Sequence, residues 1–228
     1  MLEIIYQDEY FVAINKPHGL LVHRSPIAAD AEEFALQLLR DQLQRKVFPI
    51  HRLDRKTSGI LLFALSSEVA AKLQACLEDE LTQKIYLAIV RGHFPETIDV
   101  DYPLTNDSGK TQEAFTSFRN LKHTELEIPF GKFNTSRYSL IEAKPKTGRM
   151  HQIRKHLNHL RHPIIGDRPH GCNKQNKLFK ERWNMMTMLL HAKQLKITHP
   201  ISGEDLVLKA PLFSTFEEMI ETLKLKVT

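Results

Sequence analysis

The sequence predicts an α+β fold: a mixed, mainly antiparallel sheet flanked by helices and loops. Three observations lead there. Residues 97–143 are rich in β-branched and aromatic residues broken by turn signals. Helical periodicity occurs elsewhere, but without the strict strand–helix alternation of a doubly wound sheet. No linker-like stretch interrupts the chain, so residues 1–228 read as one domain.

Taken in order, residues 2–6 and 11–14 read as short strands around the polar turn Gln7-Asp8-Glu9. Pro17 and Gly19 then mark a tight loop. Ala35, Leu38, Leu39 and Leu43 fall at i, i+3, i+4 and i+8, the spacing of an amphipathic helix. Residues 59–65 form an apolar run expected to be a buried strand. Ser66 or Ser67 caps a helix reaching about Leu81, and a strand over 84–90 stops at Gly92. Residues 97–143 give several antiparallel strands, with 120–134 read as a loop because of Pro129, Gly131 and Asn134. Thr147-Gly148 introduces a helix whose Met150, Ile153, Leu157 and Leu160 share a face able to pack on the sheet, with Arg154 at its border. Residues 189–198 and 206–208 make a hairpin-like pair around Pro200-Ile-Ser-Gly203, and 213–225 a closing helix.

Composition narrows the function. The chain is 42% hydrophobic and 26% charged, as in an ordinary globular protein, and has no apolar run long enough to span a bilayer. Its start lacks the pattern of a signal peptide, and Cys76 and Cys172 have no paired spacing, so a cytoplasmic location is expected. The net charge of +5 is modest, but residues 144–168 hold seven Lys/Arg against Asp167 alone. Concentrated charge of that kind suits phosphates, whose released counterions drive association; its alternative is a solvated helix face.

No Walker loop, G-x-G-x-x-G, G-x-S-x-G or H-E-x-x-H occurs. What remains is His51-Arg-Leu-Asp-Arg-Lys-Thr-Ser-Gly59, where Asp54 sits among Arg52, Arg55 and Lys56. An exposed loop pair there would contribute only about 0–1 kcal/mol. Inside a cleft, an arginine partner favours the ionised carboxylate, which serves better as a nucleophile than as a proton acceptor. Tyr86 is a strand aromatic on the same face as Lys84, fit either for a core or for stacking on a base. His151, His156, His159 and His162 invite a metal site, but nothing completes a four-ligand set, so no metal is expected.

The segments Asn15-Lys-Pro-His-Gly-Leu-Leu-Val-His23, His51 to Gly59, Lys84-Ile-Tyr86, Lys146-Thr-Gly-Arg-Met-His-Gln-Ile-Arg154 and His162-Pro-Ile-Ile-Gly-Asp167 resemble, in order, those of RluA-type pseudouridine synthases. Leu190-His-Ala192 and His199-Pro200 extend the likeness over nearly the whole chain. The resemblance implies a pseudouridine synthase catalytic domain with a central RNA-binding cleft, isomerising uridine to pseudouridine in RNA without a cofactor. It implies Asp54 as the catalytic carboxylate, Arg154 as its partner, Tyr86 as the base-stacking ring, Arg52 as the residue entering the RNA stack, and Ile153 as lining for the base pocket. The first step stays open between attack of Asp54 on C1′, attack on C6, and loss of the 2′-proton.

The strand pattern begins at Leu2, so the S4-like N-terminal domain of many relatives is not expected. Met1-Leu-Glu-Ile-Ile-Tyr-Gln-Asp8, Val22-His-Arg-Ser25, Thr135-Ser-Arg-Tyr-Ser-Leu140 and His170-Gly171 liken the chain to the subgroup acting on uridine-65 of tRNA. A synthase acting on rRNA, or on both RNAs, and a non-catalytic RNA-binding protein on the same fold remain alternatives. RNA is the expected partner, no membrane or obligatory protein partner is implied, and the chain is expected to act as a monomer.

Overall fold

A computed structural model describes residues 1–23 and 33–227; Arg24 and Ser25 of the quoted 22–25 segment lie outside the described residues. In chain order the elements are β1 (Glu3–Gln7), β2 (Phe11–Lys16), α1 (Ala35–Leu43), β3 (Phe48–Pro49), β4 (Ser58–Ala64), α2 (Ser67–Glu78), β5 (Gln83–Arg91), β6 (Thr97–Asp101), β7 (Leu104–Thr105), β8 (Thr111–Gln112), β9 (Phe115–Leu126), β10 (Ser136–Pro145), α3 (Gln152–His159), α4 (Asn173–Trp183), β11 (Leu190–Thr198), β12 (Asp205–Lys209) and α5 (Ser214–Thr222). The chain divides into two compact units, one of residues 1–84 and 191–211, the other of 85–190 and 212–228. Among the described residues no helix is long and apolar enough to cross a membrane.

In the first unit β1 pairs with β2, β2 with β4 and β3 with β4, all antiparallel; β11 joins β4 in parallel, and β12 pairs antiparallel with β11. Strands β2 and β4 are buried at every position. That explains their unbroken apolar runs, since a strand covered on both faces shows no alternation. The Ser66 hydroxyl accepts the Val69 N–H at 3.2 Å and caps α2, whose Val69, Leu73 and Leu77 face inward at four-residue spacing.

The second unit pairs β5 with β10, β10 with β9 and β9 with β6, all antiparallel. The mixed, mainly antiparallel α+β architecture is therefore as the sequence predicts. Three local expectations change. Residues 120–126 continue β9 rather than forming a loop, because β10 supplies their hydrogen-bond partners as far as Ser136 opposite Leu126. Helix α3 starts at Gln152, two residues after the Met150 assigned to its apolar face, and His151 before it takes a left-handed φ of 58°. Helix α4 has no counterpart in the sequence reading: only Gln175 and Phe179 of its eleven residues are buried, too few to print a helical stripe.

Candidate active site

Asp54 is half-buried in the loop between β3 and β4, two residues after the exposed Arg52. The loop closes where the Thr57 N–H donates to the Asp54 carbonyl at 3.0 Å. Residues 17–20 hold it from a second strand end. The Gly19 N–H donates to the Arg55 carbonyl at 2.8 Å, and Arg55 Nε donates back to the Gly19 carbonyl at 3.1 Å.

Lys16 ties the two loops together. Its Nζ donates to the carbonyls of Pro17 and Leu20, both at 2.9 Å, and of Arg55 at 3.2 Å. The side chain is fully buried. Burial pushes its ammonium down to about 7, and the nearby Asp54 charge works against that shift. Lys16 lies within the Asn15–His23 motif, which by itself does not show this role. The available signal was a lysine two residues after the apolar run Phe11–Ile14, at the end of a strand.

Neutral histidines surround this loop in sequence and in structure. Burial lowers His18, His51 and His191 to about 4 each. Lys16, Lys56 and Arg55 add to the effect at His18, Lys84 at His51 and Lys193 at His191. His51 Nε2 accepts the Leu62 N–H at 3.2 Å, which fixes its proton on Nδ1. His191 Nδ1 lies 2.9 Å from the Ser58 hydroxyl, where β11 meets β4. Gly59 is required at that junction: its φ is +105°, and a Cβ there would collide with the Ala192 backbone.

In the second unit the Thr147-Gly-Arg-Met-His-Gln152 segment anchors α3 through one amide. Gln152 Oε1 accepts from the Thr147 hydroxyl at 2.7 Å and the Arg149 N–H at 3.0 Å, while Nε2 donates to the Phe115 carbonyl and the Thr116 hydroxyl. His156 Nε2 donates to the Tyr102 carbonyl, so Nδ1 accepts from Thr116; burial favours this neutral ring. His159 stacks on Tyr102 at 4.0 Å, His162 Nδ1 donates to the Arg91 carbonyl, and His151 bonds His170 at 2.9 Å. The histidines that suggested a metal thus have protein partners.

Arg154 is buried rather than at the border of the helix, because a carboxylate awaits it inside. Its Nε and Nη2 donate to Asp167 Oδ2 and Oδ1 at 2.7 and 2.8 Å, a bidentate pair in which Asp167 is 1% exposed. Asp167 is in turn braced by Asn176 of α4, whose Nδ2 donates to its carbonyl at 2.7 Å. In the sequence Asp167 stands as the lone acid of a basic stretch; its place as an Arg154 partner is legible in the structure alone. Ile153, the residue before Arg154, belongs to an apolar cluster with Ala88, Val90, Phe118, Ile141 and Leu157, against which half-buried Tyr86 packs. The structure thus places Arg52 and Asp54 on one loop, and Tyr86 beside the cluster that contains Ile153.

Solved structures of pseudouridylate synthase domains share this fold. Human RNA pseudouridylate synthase domain containing 4 superposes with a TM-score of 0.75 at 27% identity, covering 98% of this chain and 94% of that one. Human RNA pseudouridylate synthase domain containing 1 shares the fold with a TM-score of 0.72 over 98% and 95% of the two chains, at 23% identity. The family described as RNA pseudouridylate synthase matches residues 10–159, and the chain belongs to it. A tRNA pseudouridine synthase C from Vibrio parahaemolyticus is 48% identical over 96% of this chain and 93% of its own length. The proteins of the same name from Salmonella typhi and Haemophilus influenzae are 44% and 42% identical, again over 96% of this chain and over 89% and 97% of theirs.

Proposed function

We propose that the protein converts uridine to pseudouridine in tRNA, at uridine-65, with Asp54 as the catalytic carboxylate. The likeness to relatives named for tRNA supports the substrate. The observation that carries the catalytic role is the fixation of the Asp54 loop by a buried lysine and a reciprocal pair of hydrogen bonds between Gly19 and Arg55. A reacting carboxylate benefits from such preorganisation, because its position is set before substrate arrives.

The reaction is balanced within the nucleotide. The N1–C1′ bond breaks, C5 bonds to C1′, the C5 proton leaves and N1 gains one. No redox partner or energy source is needed, in keeping with a reading that requires no cofactor. The target must leave its helix first, since a stacked base is out of reach. In this reading Arg52 enters the stack, Tyr86 supports the flipped base beside Ile153, and Arg154, oriented by Asp167, serves substrate binding. The protein works in the cytoplasm as a monomer forming one catalytic domain, and its two free thiols accord with a reducing compartment.

Mapping pseudouridines in tRNA and rRNA from cells with and without the gene tests the substrate. Loss of the tRNA site alone is expected, whereas loss of an rRNA site would redirect the assignment. Asp54→Asn should abolish isomerisation while leaving RNA affinity within about tenfold, roughly 1.4 kcal/mol. Full turnover by that variant would remove Asp54 from the mechanism and favour a binding role.

A further inference from the structure

A pocket of about 400 Å³ opens between the β7–β8 hairpin and the start of α3, within the second unit. Its size suits one small ligand. Leu104 and Met150 give it an apolar surface, and Gln112, Arg149 and Lys155 contribute polar groups.

Backbone carbonyls hold both cations. Arg149 Nε donates to the Glu113 carbonyl at 2.9 Å, and Lys155 Nζ donates to the Thr105 carbonyl at 3.1 Å. Among the described residues neither has a carboxylate partner. Other cations of the same unit are differently placed: Arg119 and Lys144 both reach Glu142, and Arg137 reaches Glu125. The backbone tethers fix the positions of Arg149 and Lys155 while leaving N–H donors unspent. The Gln112 amide likewise has no hydrogen-bond partner among the described residues. The hairpin itself is already ordered, because Asn106 Oδ1 accepts from the N–H and hydroxyl of Ser108 and from the Lys110 N–H. Asp107 is the one carboxylate among the lining residues, so an anion belongs on the Arg149–Lys155 side.

We propose that this pocket is a subsite for one nucleotide of the RNA other than the isomerised uridine. The base lies against Leu104 and Met150, the Gln112 amide reads its edge with one donor and one acceptor group, and Arg149 and Lys155 take its phosphate. The proposal rests on the reading of RNA as substrate. It adds a specificity element on the same helix as Arg154, since Lys155 follows Arg154 directly in α3.

The test compares Arg149→Ala/Lys155→Ala with Lys122→Ala, an exposed lysine on β9 outside the pocket, using the full chain and the tRNA substrate. Affinity is measured across a salt series, and isomerisation under single turnover at saturating enzyme. The double variant should bind about tenfold more weakly, with a log–log salt slope shallower by about 0.7 to 1.8, and its saturated rate should stay within about twofold. Arg149→Lys/Lys155→Arg should restore the slope, which separates lost charge from a disturbed hairpin. Gln112→Ala should relax the preference for one base in RNAs randomised around the target, with the salt slope unchanged. A double variant that binds like Lys122→Ala overturns the phosphate contact, and an unaltered base preference in Gln112→Ala overturns the base reading. If the wild-type chain isomerises no RNA, the functional reading fails, while the binding series still judges the pocket. If it isomerises RNA and the double variant binds normally, the pocket alone fails.

Discussion

Lys16 and Arg154 are both withdrawn from solvent, at 0% and 4% exposure, but their charges are kept in different ways. Lys16 is solvated by three backbone carbonyls, and among the described residues no carboxylate lies within ion-pair distance of it. Arg154 is clamped by both oxygens of a buried carboxylate. Carbonyl dipoles offset only part of the cost of burying an ammonium, so its charge becomes negotiable near neutral pH. A guanidinium in a bidentate pair keeps its charge at any ordinary pH. The first arrangement gives the Asp54 loop a pH-sensitive support, and the second gives α3 a permanent one.

Removing one partner of the clamp should have the largest effect. Asp167→Ala leaves a buried guanidinium without its Asp167 partner and should cost about 3–5 kcal/mol, measured by urea denaturation. Arg154→Ala should cost a similar amount and impair both turnover and RNA binding; normal turnover would refute its part in the site. Combining Arg154→Met with Asp167→Leu should be milder than the sum of the single changes, because no buried charge is left alone. Strict additivity would mean that the pair is not the unit described here.

Lys16→Met should destabilise less, by about 1–3 kcal/mol, since it leaves carbonyls unsatisfied but breaks no bidentate ion pair. It also tests the pH contrast. The folded lysine releases its proton near 7 and the unfolded one near its ordinary value, so between them the unfolded chain holds more protons and wild-type stability should rise with pH. That rise should shrink in Lys16→Met, to the part left by Lys84, which burial also lowers, and persist in Arg154→Ala. A rise undiminished in Lys16→Met would assign it to another group.

The smallest expected effect is at acid pH. His18, His51 and His191 stay neutral in the folded chain down to about 4. Their unfolded forms take protons from about 6.5 downward, so stability should fall as pH drops through that window. His51→Gln should flatten the fall, because a neutral amide cannot take up the proton in the unfolded chain. An unchanged slope would show that His51 does not contribute.

Much of this was legible in the sequence where a local pattern was strong. The cap at Ser66, the apolar run of β4 and the β11–β12 pair all follow from residues close in the chain. The 120–126 stretch was misread because Pro129, Gly131 and Asn134 mark the turn itself and say nothing about how far each strand extends. Helix α4 escaped because two inward side chains in eleven residues leave no periodic stripe. In the site, the motif around Asp54 was visible, whereas Lys16 passed as a motif residue and Asp167 as a lone acid in a basic stretch.

The sequence by itself determined the α+β class, the strand and helix order over most of the chain, and the family. Those depend on periodicity, on turn and cap chemistry, and on motifs whose members stand near one another. Only the tertiary structure decided which buried charges have partners: Lys16 finds Arg55 thirty-nine residues away, and Arg154 finds Asp167 thirteen residues on, past the end of its helix. The physical reason is that a charge taken out of water must be compensated in space, and chain order places no limit on where the compensating group comes from.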